Sequence, residues 1–324
     1  MLANSKSSIV VIGLAIFLTW AIPAVGSSID QLEKLAGSDF IPEIREAASK
    51  VLAKKYLDQK TSAAELIGIA ETAGTDQLRQ AATRALSRRY EDAKEINSLE
   101  DALEKAKQLE EKVKSGEVPA VKQAASLALG FYYLAFNVND MPSYSMSKIE
   151  SIAIGAREAG LRRAAASTLV SIYPNHYSAD ELRDILSSSS DKAIKRGATG
   201  GLALRYWSTM PPNPEIGELK QIASDETENR WIREAAGQGF GELAADEFDA
   251  SDLEELALSG NTAEIRAGAA RAWSIKLIRS EKTKEDLLRM ACAATGFAPT
   301  SYRSAITAAL ADRMLKTGET IRGG

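Results

Sequence analysis

A nine-residue cassette recurs eight times along this 324-residue chain. The copies are IREAASKVL from Ile44, LRQAATRAL from Leu78, VKQAASLAL from Val121 and LRRAAASTL from Leu161. They continue with IKRGATGGL from Ile194, IREAAGQGF from Ile232, IRAGAARAW from Ile265 and YRSAITAAL from Tyr302. Each reads apolar, basic, any, small, small, with a large apolar residue eight places after the first; Ile306 alone departs from the small pair. The starts lie 34, 43, 40, 33, 38, 33 and 37 residues apart, the spacing of stacked helical hairpins.

Counting from the first apolar residue as position 0, positions 0, +4, +7 and +8 share one face at 3.6 residues per turn, so each cassette is an amphipathic helix. Position +8 is bulky throughout: Leu52, Leu86, Leu129, Leu169, Leu202, Phe240, Trp273 and Leu310. Small residues at +3 and +4 let a neighbouring backbone approach while +8 fills the space beyond. Position +12 is Tyr56, Tyr90, Tyr133, Tyr173 and Tyr206, then Ala244, Leu277 and Met314. That column reads as buried rings whose hydroxyls reach solvent at the helix ends, with a stacking ladder for a carbohydrate or an extended chain as the alternative.

A shorter amphipathic segment precedes each cassette, as in IDQLEKLAGS, AAELIGIAETAG, ADELRDILSSSS and SDLEELALSG, with Gly- or Ser-containing turns between the halves. The charged stretch Glu100 to Glu117 is an enlarged version of it in the third repeat. Neither helix buries its apolar face alone, so the stack shares one elongated core. The expected fold is all-α: a right-handed α-solenoid of about eight hairpins, short helices outside and cassette helices lining the inner curve. The cassette resembles HEAT-type repeats, closest to the short bacterial and archaeal class, over residues 29 to 317. That resemblance implies an Asp in each turn paired with the basic residue at +1. The basic column is complete (Arg45, Arg79, Lys122, Arg162, Lys195, Arg233, Arg266, Arg303), whereas the acids Asp39, Asp76, Asp191 and Asp225 stand at varying offsets.

The first 26 residues differ in kind. Lys6, an apolar run from Ile9 to Leu18, Pro23 and the small residues Ala24 and Gly26 have the layout of a secretory signal peptide cleaved before Ser27. The domain reading is therefore 1–26 leader, 27–317 repeats and 318–324 tail. It implies an extracytoplasmic protein, secreted or periplasmic, with no membrane span after cleavage. Cys292 is the single cysteine, which excludes an intrachain disulfide. A net charge of −4, with no strongly basic stripe and no recognition motif, argues against nucleic acid as a partner.

Catalytic motifs are scarce. His176 is the only histidine, so no multi-histidine metal site can be built, and no G-x-S-x-G elbow, P-loop or dinucleotide fingerprint occurs. No catalytic residue, metal site or cofactor is assigned. Asn175, His176 and Tyr177, read as a loop after Pro174, carry residue types suited to proton abstraction beside a carboxylate, which makes a polysaccharide-lyase-like enzyme the alternative reading. The bilin-lyase-like branch of short HEAT repeats is a second rival, opposed by the export signal. The leading expectation is a non-catalytic module binding a protein partner along the inner curve, at positions +2 and +6 such as Glu46, Lys50, Gln80, Arg84, Gln123, Leu127, Glu234 and Gln238. The loops Asn137 to Met146 and Tyr206 to Pro214 break the rhythm with Pro, Met and aromatic residues. Together these give Arg84, Phe131, Tyr144, Trp207, Met210 and Gln238 as candidate partner-binding residues. Gly197, Gly200, Gly201, Gly237, Gly239 and Gly241 crowd repeats five and six, a pattern expected of closely approaching helices, with close approach by a ligand as the alternative.

Overall fold

A computed structural model describes residues 28–38, 41–91, 98–115, 118–138, 141–208, 214–295 and 298–319. The leader, Asp39 and Met210 lie outside the described residues. Those described form sixteen α-helices and no strand. Short and long helices alternate: α1 (Ile29–Ala36), α2 (Pro42–Asp58), α3 (Ala63–Thr72), α4 (Asp76–Tyr90), α5 (Leu99–Lys114), α6 (Pro119–Val138), α7 (Met146–Gly155) and α8 (Ala159–His176). The second half is α9 (Ala179–Ser188), α10 (Lys192–Trp207), α11 (Ile216–Ser224), α12 (Arg230–Glu247), α13 (Ala250–Ser259), α14 (Ala263–Arg279), α15 (Lys284–Ala294) and α16 (Thr300–Glu319). All eight cassettes lie in the even-numbered helices. The last helix runs two residues past the expected boundary at 317.

Local chemistry sets the starts. Ser62, Ser178 and Thr283 cap α3, α9 and α15 with reciprocal capping boxes. The hydrogen bonds from these caps hold the Glu65, Glu181 and Asp286 carboxyls below their ordinary range. Lys60, with φ 56°, is the one described non-glycine residue in the left-handed region and turns the chain out of α2.

Each odd helix packs on the even helix that follows it, and each even helix packs on the next even helix. The even helices run in the same direction, because equivalent ends meet. Ser49 Oγ at +5 donates to the Gln77 carbonyl at −1 of the next cassette at 2.8 Å, and Ser126 Oγ does the same to Gly160 at 2.7 Å. The row then closes on itself, since α16 packs on α2. Arg303 Nη1, at +1 of the eighth cassette, meets Glu43 Oε1, at −1 of the first, at 3.1 Å. Arg233 and Glu264 form the same +1 to −1 pair between the sixth and seventh cassettes, at 3.6 Å. The seam between the chain's ends thus repeats an interior joint. The inner curve expected from the sequence is a closed ring.

Even helices touch all the way round, whereas no two odd helices share an extensive contact, so the even layer is the inner one. Eight axes spaced about 8–10 Å apart on a circle leave an opening of roughly 10–16 Å between helix surfaces of about 10 Å diameter. The core lies between the layers. All eight side chains at +8 are at most 1 % exposed. The glycines mark where even helices approach most closely. A Cβ on Gly237 would stand 2.6 Å from the Glu264 carbonyl oxygen, and one on Gly200 would stand 2.6 Å from Val170. Close packing between helices therefore accounts for the glycine-rich repeats.

Candidate functional site

The face of each even helix opposite its odd partner looks into the ring, and positions +2, +6 and +13 share it by helical phase. On α2 and α4 this wall is charged and internally paired. Arg84 Nη2 lies 3.0 Å from Glu46 Oε1 and 3.5 Å from Gln80 Oε1, so this candidate is held by its neighbours. Burial pushes the Lys50 amine below the ordinary lysine value; Arg84 adds to the shift and Glu46 opposes it. On the far side Gln238 is exposed over a shallow groove of about 430 Å³ between α12 and α14, where Arg271 pairs with Glu242.

Between these charged arcs the wall carries exposed apolar side chains. Leu127 (44 % exposed), Phe131 (47 %) and Val138 (71 %) lie on α6, and Trp207 (42 %) ends α10. Phe131 and Trp207 are the two exposed large aromatics among the described residues. Trp207 sits at +13, on the face of +2 and +6; Phe131, at +10, lies one step round it, its ring edge-on to Tyr132. Trp207 belongs to the last turn of α10, not to the loop expected from Tyr206 onward.

Two other expectations are corrected. Tyr144 is buried, 9 % exposed in a 3-10 turn spanning Pro142–Tyr144, its ring 4.7 Å from Phe136 and 5.2 Å from Tyr133. The loop's aromatic character made it look like a binding residue, whereas it closes the core beneath α6. Asn175 and His176 are not in a loop: α8 carries Pro174 inside its last turn and ends at His176, with both polar side chains exposed and Tyr177 edge-on to Tyr173. Among the described residues no group of three metal-ligating side chains comes together.

The tyrosine column is an internal fastening. Tyr56, Tyr133 and Tyr173 donate to Glu33, Glu110 and Glu150 at 2.7, 2.9 and 2.8 Å, each carboxylate 23 residues upstream on the paired short helix. Tyr206 keeps the spacing with Arg183 as donor, at 3.0 Å from Nη2. Tyr302 takes over in the last repeats, donating to Glu254 at 2.7 Å while stacking on Trp273. Burial first, and then the carboxylate acceptors, push the hydroxyls of Tyr56, Tyr133, Tyr173 and Tyr302 well above the ordinary tyrosine range. These hydroxyls end on carboxylates, not in solvent.

The +1 cations work mainly on backbone, not on an Asp ladder. Arg79, Arg162 and Arg266 donate to the carbonyls of Ala73, Ala156 and Gly260, each six residues upstream where a short helix ends. Of the acids proposed for the ladder, Asp76 pairs with Arg79 at 2.5 Å, Asp191 caps α10, and Asp225 accepts from Thr227. Cys292 is half-buried on α15, and burial raises its thiol, with Glu43 adding to the effect.

Arg163 and Arg196, both at +2, were not among the candidates. A shallow groove of about 320 Å³ between the starts of α8 and α10 is lined by Ile154, Arg162, Arg163, Lys192 and Arg196. A second, of about 590 Å³, joins α6 to α8 through Lys122, Gln123 and Arg163. The doubled basic pairs Arg162–Arg163 and Lys195–Arg196 were the signal in the sequence. Comparison of the chain with protein-family models, with curated proteins and with solved structures finds no match.

Proposed function

We propose that this chain is an exported, non-catalytic interaction ring. In this reading eight HEAT-like hairpins, wound as a right-handed solenoid, hold a protein partner against the inner wall. The observation that carries it is the apolar arc of Leu127, Phe131 and Trp207 on that wall, which holds the two exposed large aromatics among the described residues. An exposed apolar patch on a rigid scaffold costs solubility and is characteristic of a contact surface. The pairing of tyrosines with the short helices supports the rigidity that such a surface needs. Export rests on the leader-like first 26 residues; amino-terminal sequencing that finds Ser27 first would support it, and retention of Met1 would oppose it.

Photo-crosslinking tests the interaction reading. A benzophenone amino acid at Phe131 or Trp207 should trap a discrete protein in the native envelope, while the same group at the exposed Ser151 of the outer helix α7 should not. Phe131→Ala/Trp207→Ala should abolish the complex and change stability by only about 0.5–1 kcal/mol, since both rings are about half exposed. Crosslinks confined to Ser151 would place the contact on the outer layer and sink the reading.

A further inference from the structure

The first turns of the even helices differ around the ring. In α2, α4 and α14 a carboxylate stands there, Glu43, Asp76 or Glu264, and each pairs with a +1 arginine. The +1 arginines of α12 and α16 share in those pairs. In α6, α8 and α10 the first turn holds no acid. The segments 119–123, 157–163 and 191–196 contain seven cations and two carboxylates, in a chain of net charge −4. Asp191 is spent on the backbone N–H groups of Ala193 and Ile194. Glu158 lies near Lys114 and contributes to its raised pKa. Lys122, Arg163, Lys192 and Arg196 form no ion pair with a described residue.

This arrangement is unfavourable in the isolated protein, because helix starts carry partial positive charge and disfavour cations. Arg162 offsets its position by holding two carbonyls, of Ala156 and Arg157. Arg163 and Arg196 have no such contact; Arg163 lines both adjoining grooves and Arg196 the one between α8 and α10. Three neighbouring helices at spacings of about 8–10 Å carry the strip over about 20 Å, the length of some six extended residues. Among the described residues, five of the six exposed large hydrophobics lie on the same stretch of chain: Leu127, Phe131, Val138, Ile154 and Trp207. Ile154 lines one groove; Leu127 and Phe131 continue down the wall from Gln123 of the other.

We propose that the strip formed by Lys122, Arg163, Lys192 and Arg196 receives an extended acidic segment of the protein partner. Carboxylates of that segment pair with the strip and its apolar side chains lie along the Leu127–Phe131 wall. The proposal rests on the interaction reading above and adds the chemistry of the partner. A carboxylate chain is favoured over a lone anion because the cations are strung along three helices and are not gathered round one point.

The test uses the purified protein and a fluorescein-labelled peptide of six glutamates flanked by phenylalanines, read by anisotropy. The wild type should bind it in a salt-dependent way, and the glutamine analogue at least tenfold more weakly. Arg163→Glu/Arg196→Glu should lose at least tenfold in affinity for the glutamate peptide and gain affinity for the six-lysine counterpart, a reversal that a merely structural role cannot give. Both side chains are exposed and acids suit helix starts, so a melting temperature no lower than the wild type's verifies the fold. Equal binding of the glutamate and glutamine peptides, or no loss in the charge-swapped protein, would overturn the inference. So would binding to phosphatidylglycerol vesicles with none to the peptide, which would make the strip a membrane contact. If crosslinking at Phe131 and Trp207 persists while the charge swap is silent, only the acidic partner fails; if crosslinking is absent, the interaction reading itself has failed.

Discussion

Replacing Gly237 by Ala tests how closely the inner helices approach. Alanine should favour helix α12 by about 0.8–1 kcal/mol through intrinsic propensity. The packing opposes it. The added Cβ would stand 2.6 Å from the Glu264 carbonyl oxygen of α14, against an ordinary contact near 3.4 Å, so the helices must part by about 0.8 Å. Such a gap forfeits a quarter to a half of the dispersion between the facing atoms, and backbone cannot swing aside as a flexible side chain can. Taking about 3 kcal/mol for overpacking at a rigid site, Gly237→Ala should destabilise the protein by about 2 kcal/mol net. Gly68, inside α3, is the matched control: a Cβ there meets nothing within 4 Å, so Gly68→Ala should stabilise by about 0.8–1 kcal/mol. Urea unfolding followed by circular dichroism gives both midpoints. If Gly237→Ala raised the midpoint as Gly68→Ala does, α12 and α14 would not be in backbone contact and the packing argument would be wrong.

Two more perturbations probe the fastenings. Arg303→Ala strands the Glu43 carboxylate, itself 4 % exposed, and should cost about 3 kcal/mol; removing both partners should cost less, and a double variant no better than Arg303→Ala would show that the pair does not close the seam. The raised tyrosine hydroxyls keep their protons in the fold while the unfolded chain begins to lose them near pH 10. Their stabilisation is therefore intact below about pH 10 and falls above it by about 1.4 kcal/mol per pH unit for each such tyrosine. Urea midpoints from pH 8 to 11 should show this loss, and Tyr56→Phe/Tyr133→Phe/Tyr173→Phe should flatten it; an unchanged slope would detach those tyrosines from the effect.

Helix positions and buried faces could be read from the sequence because they obey short-range periodicity. The bulky +8 column fills the core at every repeat; Gly237 and Gly241 of the sixth repeat lie against the backbone of the seventh, and the glycines of the fifth lie against side chains of the fourth. Longer-range features could not be read this way. Nothing local to Arg303 or Glu43 says that residues 260 apart will meet. The Tyr–Glu fastening sits at a fixed offset of 23 residues, but Ile67 and Arg183 replace Glu at two of the five positions, which obscures the rule. Pro174 suggested a loop; it forfeits one helical hydrogen bond, yet α8 continues past it to His176. Tyr144 stood out because its loop carries Pro, Met and aromatic residues, yet its ring fills the gap beside Phe136. On the inner wall the periodic +2 and +6 positions led to Arg84 and Gln238. The unpaired character of Arg163 and Arg196 emerges only when the helices beside them are in place.

Ring closure underlies the inner wall, and a distance across the seam settles it. Spin labels at Lys50 and Ala308, both at +6, on the Cys292→Ser background, span the α2–α16 joint. Labels at Gln238 and Arg271, also both at +6, span the interior α12–α14 joint for comparison. Electron resonance should give the two pairs matching short distances, close to the interaxial spacing of about 8–10 Å extended by the label arms. A seam distance of about 40 Å or more, with the interior pair still short, would mean an open superhelix whose ends never meet, and would contradict the closed ring.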